Sequence, residues 1–238
     1  TKSDPQVALE RLQYLASVGV KVVLGPLTSA ELFAVKDYAD QQNLMLISTT
    51  STAPSLAIEN DSIFRLTPDD THQGWATAAL MQRRQTKTVA VLHLDDLFGQ
   101  ELADTTLLHF IEGGGEVLGR WVFSSGTTDF STILQQVQQR IDEAKTTTPS
   151  ASIGIYVIGF DEIASLCRQA QAYPSLASCL WYGSDGTALS TALVQDAVAA
   201  DYARRVCFIN PVYGGNMTAS PFYQDVLQRV RARAKGTP

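Results

Sequence analysis

The chain has 238 residues, of which 45% are hydrophobic and 18% charged, with a formal net charge of −6. This is the balance of a folded globular chain, long enough for one large domain or two small ones, and not that of a disordered or fibrous one. The acidic excess argues against a nucleic-acid partner, because phosphate binding leans on clustered Lys and Arg, and no apolar run approaches the ~18 residues that span a bilayer.

The first residues, TKSDPQ, are polar and do not read as a signal peptide, which leaves a cytosolic protein or a mature or trimmed secreted one. Asp4-Pro5 is a helix start, and Ala8, Leu12, Leu15 and Ala16 recur at helical spacing up to Gly19. VKVVLG (20–25) then reads as a strand buried on both faces. A helix over 28–42, strands over 44–48 and 63–66, a helix over 71–84 and a strand over 88–94 follow. The next pairs are helix 98–112 with strand 116–123, helix 130–144 with strand 153–159, and helix 161–172 with strand 179–183. A helix over 187–200, a strand over 206–210 and a helix over 221–234 complete the pattern, and the basic run Arg229–Lys235 reads as a solvated face of that last helix.

Strands alternating with helices imply parallel sheets covered by helices. About eight strands can form one sheet or two, and the breaks at TPDD (67–70) and Asn210-Pro211 are the places for a crossover between lobes. The expected division is a first lobe over 1–69, a second over 70–209, and a return to the first over 210–238. Because a doubly wound sheet normally opens on a strand, the initial helix leads us to expect an opening strand–helix unit ahead of it.

Open parallel sheets bind ligands beyond the carboxyl ends of their strands. After VKVVLG, Thr28 and Glu31 form a T-x-x-E capping box, and Ser29 either only starts the helix or offers its hydroxyl to a carboxylate. After LMLIS stand consecutive hydroxyl residues from Ser48 to Thr52, a polar loop or a rim of short donors that includes Thr50 and Thr52. After IFRL, Asp70 and Gln73 read as a second capping box, or Asp70 accepts from a ligand ammonium. Asp95 or Asp96 caps the next helix, with Phe98 positioned for an apolar pocket wall, and Phe160-Asp161 and Ser184-Asp185-Gly186 end two later strands. Asp185 is a turn residue or a second carboxylate for the ammonium.

Signatures of catalysis are missing: there is no GxSxG, no GxxxxGK[ST] and no strand–GxGxxG–helix unit. His72, His93 and His109 are not spaced as metal ligands, and His93 reads as a core or cleft-edge residue. Neither a metal nor a cofactor is expected. Of the three cysteines, Cys167 falls in a helix and Cys179 and Cys207 in strands; buried free thiols are the first reading and a Cys167–Cys179 bridge the second.

These strand-end segments, in order, resemble the type I periplasmic binding proteins, and within them the leucine/isoleucine/valine-binding branch. The stretches that carry the likeness are SDPQVALERLQYL with VKVVLGPLTSAE, LMLISTTSTAPSL, IFRLTPDDTHQG, TVAVLHLDDLFGQELA, GTTDFS, YVIGFDEIASLCRQA and LWYGSDG. The resemblance implies two doubly wound parallel-sheet lobes joined by a hinge. It implies that Ser29, Thr50 (through its backbone) and Thr52 hold the carboxylate of an amino acid, and that Asp70 and Asp185 lie near its ammonium. Phe98 then closes over the ligand from the second lobe, and Phe160 and Asp185 match second-lobe contact positions; several relatives carry Tyr at positions 98 and 160, so this pocket is the more apolar. The implied function is extracytoplasmic delivery of a branched-chain or other apolar amino acid to the permease of an ABC importer, by a monomer, periplasmic or extracellular and anchored or not as a lipoprotein. The alternative is the ligand-binding domain of an extracellular amino-acid sensor, and an enzyme is not expected.

Overall fold

The structure is a computed structural model that describes residues 1–212 and 220–234. Helix α1 (Pro5–Ser17) starts where the sequence says it should: the Asp4 carboxylate accepts from the Gln6 and Val7 N–H groups at 2.9 and 3.1 Å, with Pro5 in the first turn. It packs against α2 (Ser29–Gln41), and their apolar faces, with Leu12, Leu32, Val35 and Ala39, form one core. The sheet under that core is parallel, in the order β1 (Val22–Leu24), β2 (Met45–Ser48), β3 (Ile63–Arg65).

That sheet is covered on one face only by the described residues. Leu46 is fully buried, while Val22, Leu24, Met45 and Phe64 point the other way and are 40–79% exposed. The expectation that 20–25 is buried on both faces is therefore corrected. Strand β1 lies at the sheet edge, and period-two alternation puts Val22 and Leu24 on the open face.

The chain leaves the first sheet after Arg65 and enters α3 (Asp70–Arg83), whose Ala78 and Met81 belong to a second, larger core. Here the sheet is parallel in the order β5 (Glu116–Phe123), β4 (Thr88–Leu94), β6 (Ile153–Ile158), β7 (Leu180–Gly183). Every residue of the central strands β4 and β6 is buried, as expected of strands with helices on both sides. The intervening helices are α4 (Leu97–Glu112), α5 (Ser131–Ala144) and α6 (Glu162–Ala170).

The end of the second lobe departs from expectation. The helix expected over 187–200 is broken into a single 3₁₀ turn at Asp185–Thr187, α7 (Thr191–Gln195) and α8 (Ala197–Arg205). Two caps impose the breaks: Ser190 Oγ accepts from Leu193 N–H, and Asp196 accepts from Val198 and Ala199 N–H. The strand expected over 206–210 is reduced to one bridge between Ile209 and Tyr182, because Cys207 at φ +52° turns the backbone out of extended geometry. Cys207 is exposed, Cys167 and Cys179 are buried, and all three are free thiols, so the Cys167–Cys179 bridge is not formed. Helix α9 (Pro221–Ala234) carries the basic residues Arg229, Arg231 and Arg233 on exposed positions, with Arg229 paired to Asp225. Lys235 and residues 213–219 of the expected return segment lie outside the described residues.

Candidate functional site

A cavity of about 320 Å³ opens where the carboxyl ends of both sheets meet, within the ~300–1,000 Å³ range of small-molecule pockets. It is lined by Thr28, Ser29, Thr50 and Thr52 from the first lobe and by Phe98, Phe160, Asp185 and Gly186 from the second, with Ser3 and Leu27 at its margin. The structure thus gathers six of the seven residues singled out in the sequence, spread over more than 150 positions, around one space.

The first-lobe wall is two strand-end loops stitched together. Thr28 Oγ1 accepts from Glu31 N–H at 3.2 Å while a Glu31 carboxylate oxygen accepts from Thr28 N–H at 3.2 Å, which makes the predicted capping box of α2. This box leaves the Ser29 N–H in the first turn without an intrahelical acceptor. Ser29 Oγ accepts from the Thr52 and Ala53 N–H groups, each at 3.2 Å. The hydroxyl-rich run is largely consumed in the same stitching: Ser48 Oγ donates to the Pro26 carbonyl at 2.7 Å and Thr50 Oγ1 to the Leu27 carbonyl at 2.6 Å. Its density answers to the carbonyls left free by the 25–28 turn as much as to any ligand. The Ser29 hydroxyl, accepting twice, retains its proton for a donor role.

The second-lobe wall is aromatic at one side and acidic at the other. Phe98, in the first turn of α4, stacks on Phe160 with ring centroids 5.2 Å apart and planes 20° from parallel. Helix α4 is capped by Asp96, whose carboxylate accepts from Gly99 N–H at 2.8 Å. Gly99 is required there, since a Cβ would come within 2.2 Å of the Leu94 carbonyl oxygen. Gly186 is likewise held bare: a Cβ would lie 2.5 Å from the Gly159 carbonyl oxygen and 2.9 Å from the Phe160 ring. That close approach lets the turn carrying Asp185 sit against the aromatic wall.

Asp70 is the exception among the sequence candidates. It does not line the cavity; it is wholly buried behind it. The expected Asp70–Gln73 capping box is corrected by one residue, because Asp69 is the N-cap, accepting from Thr71 N–H at 3.0 Å. Asp70 is then the first helical residue and is turned inward. Its N–H donates to the Thr52 carbonyl at 2.9 Å, and its Oδ1 accepts from Gln73 Nε2 at 2.8 Å, while Oδ2 has no partner among the described residues. Burial pushes the Asp70 carboxyl up to about 7, the nearby Asp185 adds to this, and the Thr52 hydroxyl and Gln73 amide oppose it. Burial also raises Asp185, against hydrogen bonds from the Gln73 side chain and the Gly186 backbone.

Sequence reading missed Ser3, Leu27, Thr28 and Gly186 as wall residues, and it took Gln73 only for a helix cap. Gln73 is 3% exposed and bonds Asp185 twice, from Nε2 to Oδ1 at 2.9 Å and at Oε1 from the Asp185 N–H at 2.8 Å. No signal in the sequence links residues so far apart. His93 is a core residue: buried, with Nδ1 2.8 Å from the Leu94 carbonyl oxygen and Nε2 3.2 Å from Arg120, and lowered by burial. Among the described residues no group of His, Cys, Asp or Glu is arranged to hold a metal ion, and no helix is long and apolar enough to cross a membrane.

A family model described as periplasmic binding protein matches residues 1–238. An uncharacterized protein of Methanocaldococcus jannaschii is 28% identical over 83% of this chain and 48% of its own length. The Leu/Ile/Val-binding protein of Escherichia coli K12 is 25% identical over 71% of this chain and 44% of its own. The chain therefore spans about half the length of the curated relatives it matches. Among solved structures, a leucine-binding protein of Thermotoga maritima superposes with a TM-score of 0.73 at 20% identity, covering 99% of this chain and 64% of that one. A branched-chain amino acid transporter substrate-binding protein of Streptococcus pneumoniae, solved in complex with isoleucine, gives 0.67 at 20% identity, with the same coverage. At these identities the superpositions establish the fold.

Proposed function

Since the chain belongs to the periplasmic binding protein family, matched along its whole length, we propose that it binds an amino acid with an apolar side chain in the cleft between its lobes and hands it to a membrane ABC importer. Membership of the family supports a location outside the cytoplasm and a binding role without catalysis. The observation that carries the ligand reading is the polarity of the cavity from end to end. Ser29, Thr50 and Thr52 stand on one wall and Asp185 on the other, with the Phe98–Phe160 stack beside them.

That arrangement suits a zwitterion. A buried charge has to be paired, since an unpaired one is expensive to desolvate. The Ser29 hydroxyl and the N–H groups at the start of α2 are donors for a carboxylate, helped by the positive end of the helix. Asp185 is the acceptor for an ammonium, and Asp70 stands behind it instead of touching the ligand. The phenyl rings offer an apolar surface and no hydroxyl, which favours an aliphatic side chain over a polar one. Closure follows from the division of labour: the ligand docks on the first lobe, and the second engages only when Asp185 and Phe160 reach it by rotation about the 66–69 crossover. The relatives named for leucine, isoleucine and valine support the same ligand class.

A thermal-shift screen of the full chain against the twenty amino acids tests the reading. Leucine, isoleucine and valine are expected to raise the melting temperature by several degrees, following the mass-action stabilisation of a native state by its ligand. A flat response across all twenty, or a response to acidic or basic amino acids alone, contradicts it.

A further inference from the structure

We propose that Gln73, which does not line the cavity, is a positioning residue that aims Asp185 at the ligand ammonium and ties it to the carboxylate end of the site. The proposal rests on the amino-acid reading above and names how its two halves are kept in register. Gln73 is 3% exposed and lies in the first turns of α3, while Asp185 follows β7, 112 positions later.

Both N–H donors of the Gln73 amide and one lone pair of its oxygen are engaged. Its Oε1 accepts from the Asp185 N–H at 2.8 Å, and its Nε2 donates to Asp185 Oδ1 at 2.9 Å and to Asp70 Oδ1 at 2.8 Å. The orientation of the amide is fixed by chemistry: the Asp185 backbone N–H only donates, so Oε1 faces it and Nε2 faces the two carboxyl groups. One side chain therefore grips both the backbone and the carboxylate of Asp185, which removes the freedom of that carboxylate to rotate away from the cavity.

The grip continues toward the other wall. Asp70, held by Gln73, donates its N–H to the Thr52 carbonyl at 2.9 Å, and the Thr52 N–H donates to Ser29 Oγ at 3.2 Å. An unbroken run of hydrogen bonds, Asp185–Gln73–Asp70–Thr52–Ser29, thus joins the ammonium side to the carboxylate side behind the cavity. Within the run, Gln73 is the member whose side chain both donates and accepts, and it needs two donors and an acceptor at once. A Glu keeps the acceptor for Asp185 N–H and loses both donors, and a Leu keeps approximate bulk and loses all three bonds.

The test uses the full chain with L-leucine and its des-amino analogue 4-methylpentanoate, together with carbon-13 detected titration of the Asp185 carboxyl in ligand-free protein. Gln73→Leu and Gln73→Glu are each expected to weaken L-leucine at least tenfold while leaving 4-methylpentanoate nearly unchanged, because only the ammonium end is disturbed. In Gln73→Leu the Asp185 titration is expected to move to higher pH, since a donor that favours the charged form is gone. Unchanged L-leucine affinity, equal loss of both ligands, or an unmoved Asp185 titration overturns the proposal. If the unmodified protein binds no amino acid, the ligand reading fails by itself, and the ligand-free titration still decides whether Gln73 holds Asp185.

Discussion

Asp70 shows how much a single position of register is worth. As an N-cap its side chain would face the open end of the helix; as the first helical residue it is carried inward, where it is wholly buried with Oδ2 unpartnered among the described residues. Its carboxyl, raised from 3.8 to about 7 chiefly by burial, takes up a proton on folding. The stability this contributes is complete below the unfolded value and is lost as pH rises through the folded one. Replacing Asp70 by Asn keeps an acceptor for Gln73 and removes the cost of a buried charge, so Asp70→Asn is expected to stabilise the protein at pH 8 and to matter little at pH 4. The bound on that gain is about 4 kcal/mol from the size of the shift, and urea denaturation at the two pH values measures it. Equal effects at both would contradict a buried, proton-binding Asp70. The sequence reveals which aspartates stand at strand ends but not which way each one turns. Adjacent acids at 69 and 70 offer two equally good caps, and only packing chooses.

At the scale of elements, caps and turns explain both what was legible and what was not. The helix α2 boundary could be read from Thr28 and Glu31 because a capping box is local chemistry. The breakage of the 187–200 segment was equally local, at Ser190 and Asp196, but its apolar periodicity outweighed those signals in the sequence. The elements also meet across the cleft. Helix α4 belongs to the second lobe, yet its Leu97 packs on the first-lobe core and its Glu101 accepts from the Ser55 N–H at 3.0 Å. These contacts hold the lobes together without touching the cavity. An exposed hydrogen bond to a charged group is worth roughly 1 kcal/mol, so Glu101→Ala is expected to speed ligand dissociation about threefold to fivefold while leaving association nearly unchanged. Stopped-flow tryptophan fluorescence reads both rates; a slowed association with unchanged dissociation would show that Glu101 acts before closure.

For the whole molecule, the alternation of apolar strands and helices made the parallel pairing readable but not the number of sheets; the structure forms two, and the chain passes from one to the other between β3 and α3. What could not be read was the asymmetry of the lobes. The second sheet is covered on both faces, while the first exposes Val22, Leu24, Met45 and Phe64 on one, because strand residues of either kind have the same composition. The gathering of Ser29, Thr50, Thr52, Phe98, Phe160 and Asp185 follows from a property of the architecture: parallel strands all end on one edge, and two sheets facing each other bring both edges to one cleft. The most direct test of that cleft as an amino-acid site is isothermal calorimetry of the full chain with L-leucine, comparing the unmodified protein with Asp185→Ala. Removing one partner of a buried charged pair costs about 2 kcal/mol or more, so the account predicts saturable one-to-one binding that weakens by roughly thirtyfold or more. Equal affinity in the two proteins, or no binding in either, would contradict it.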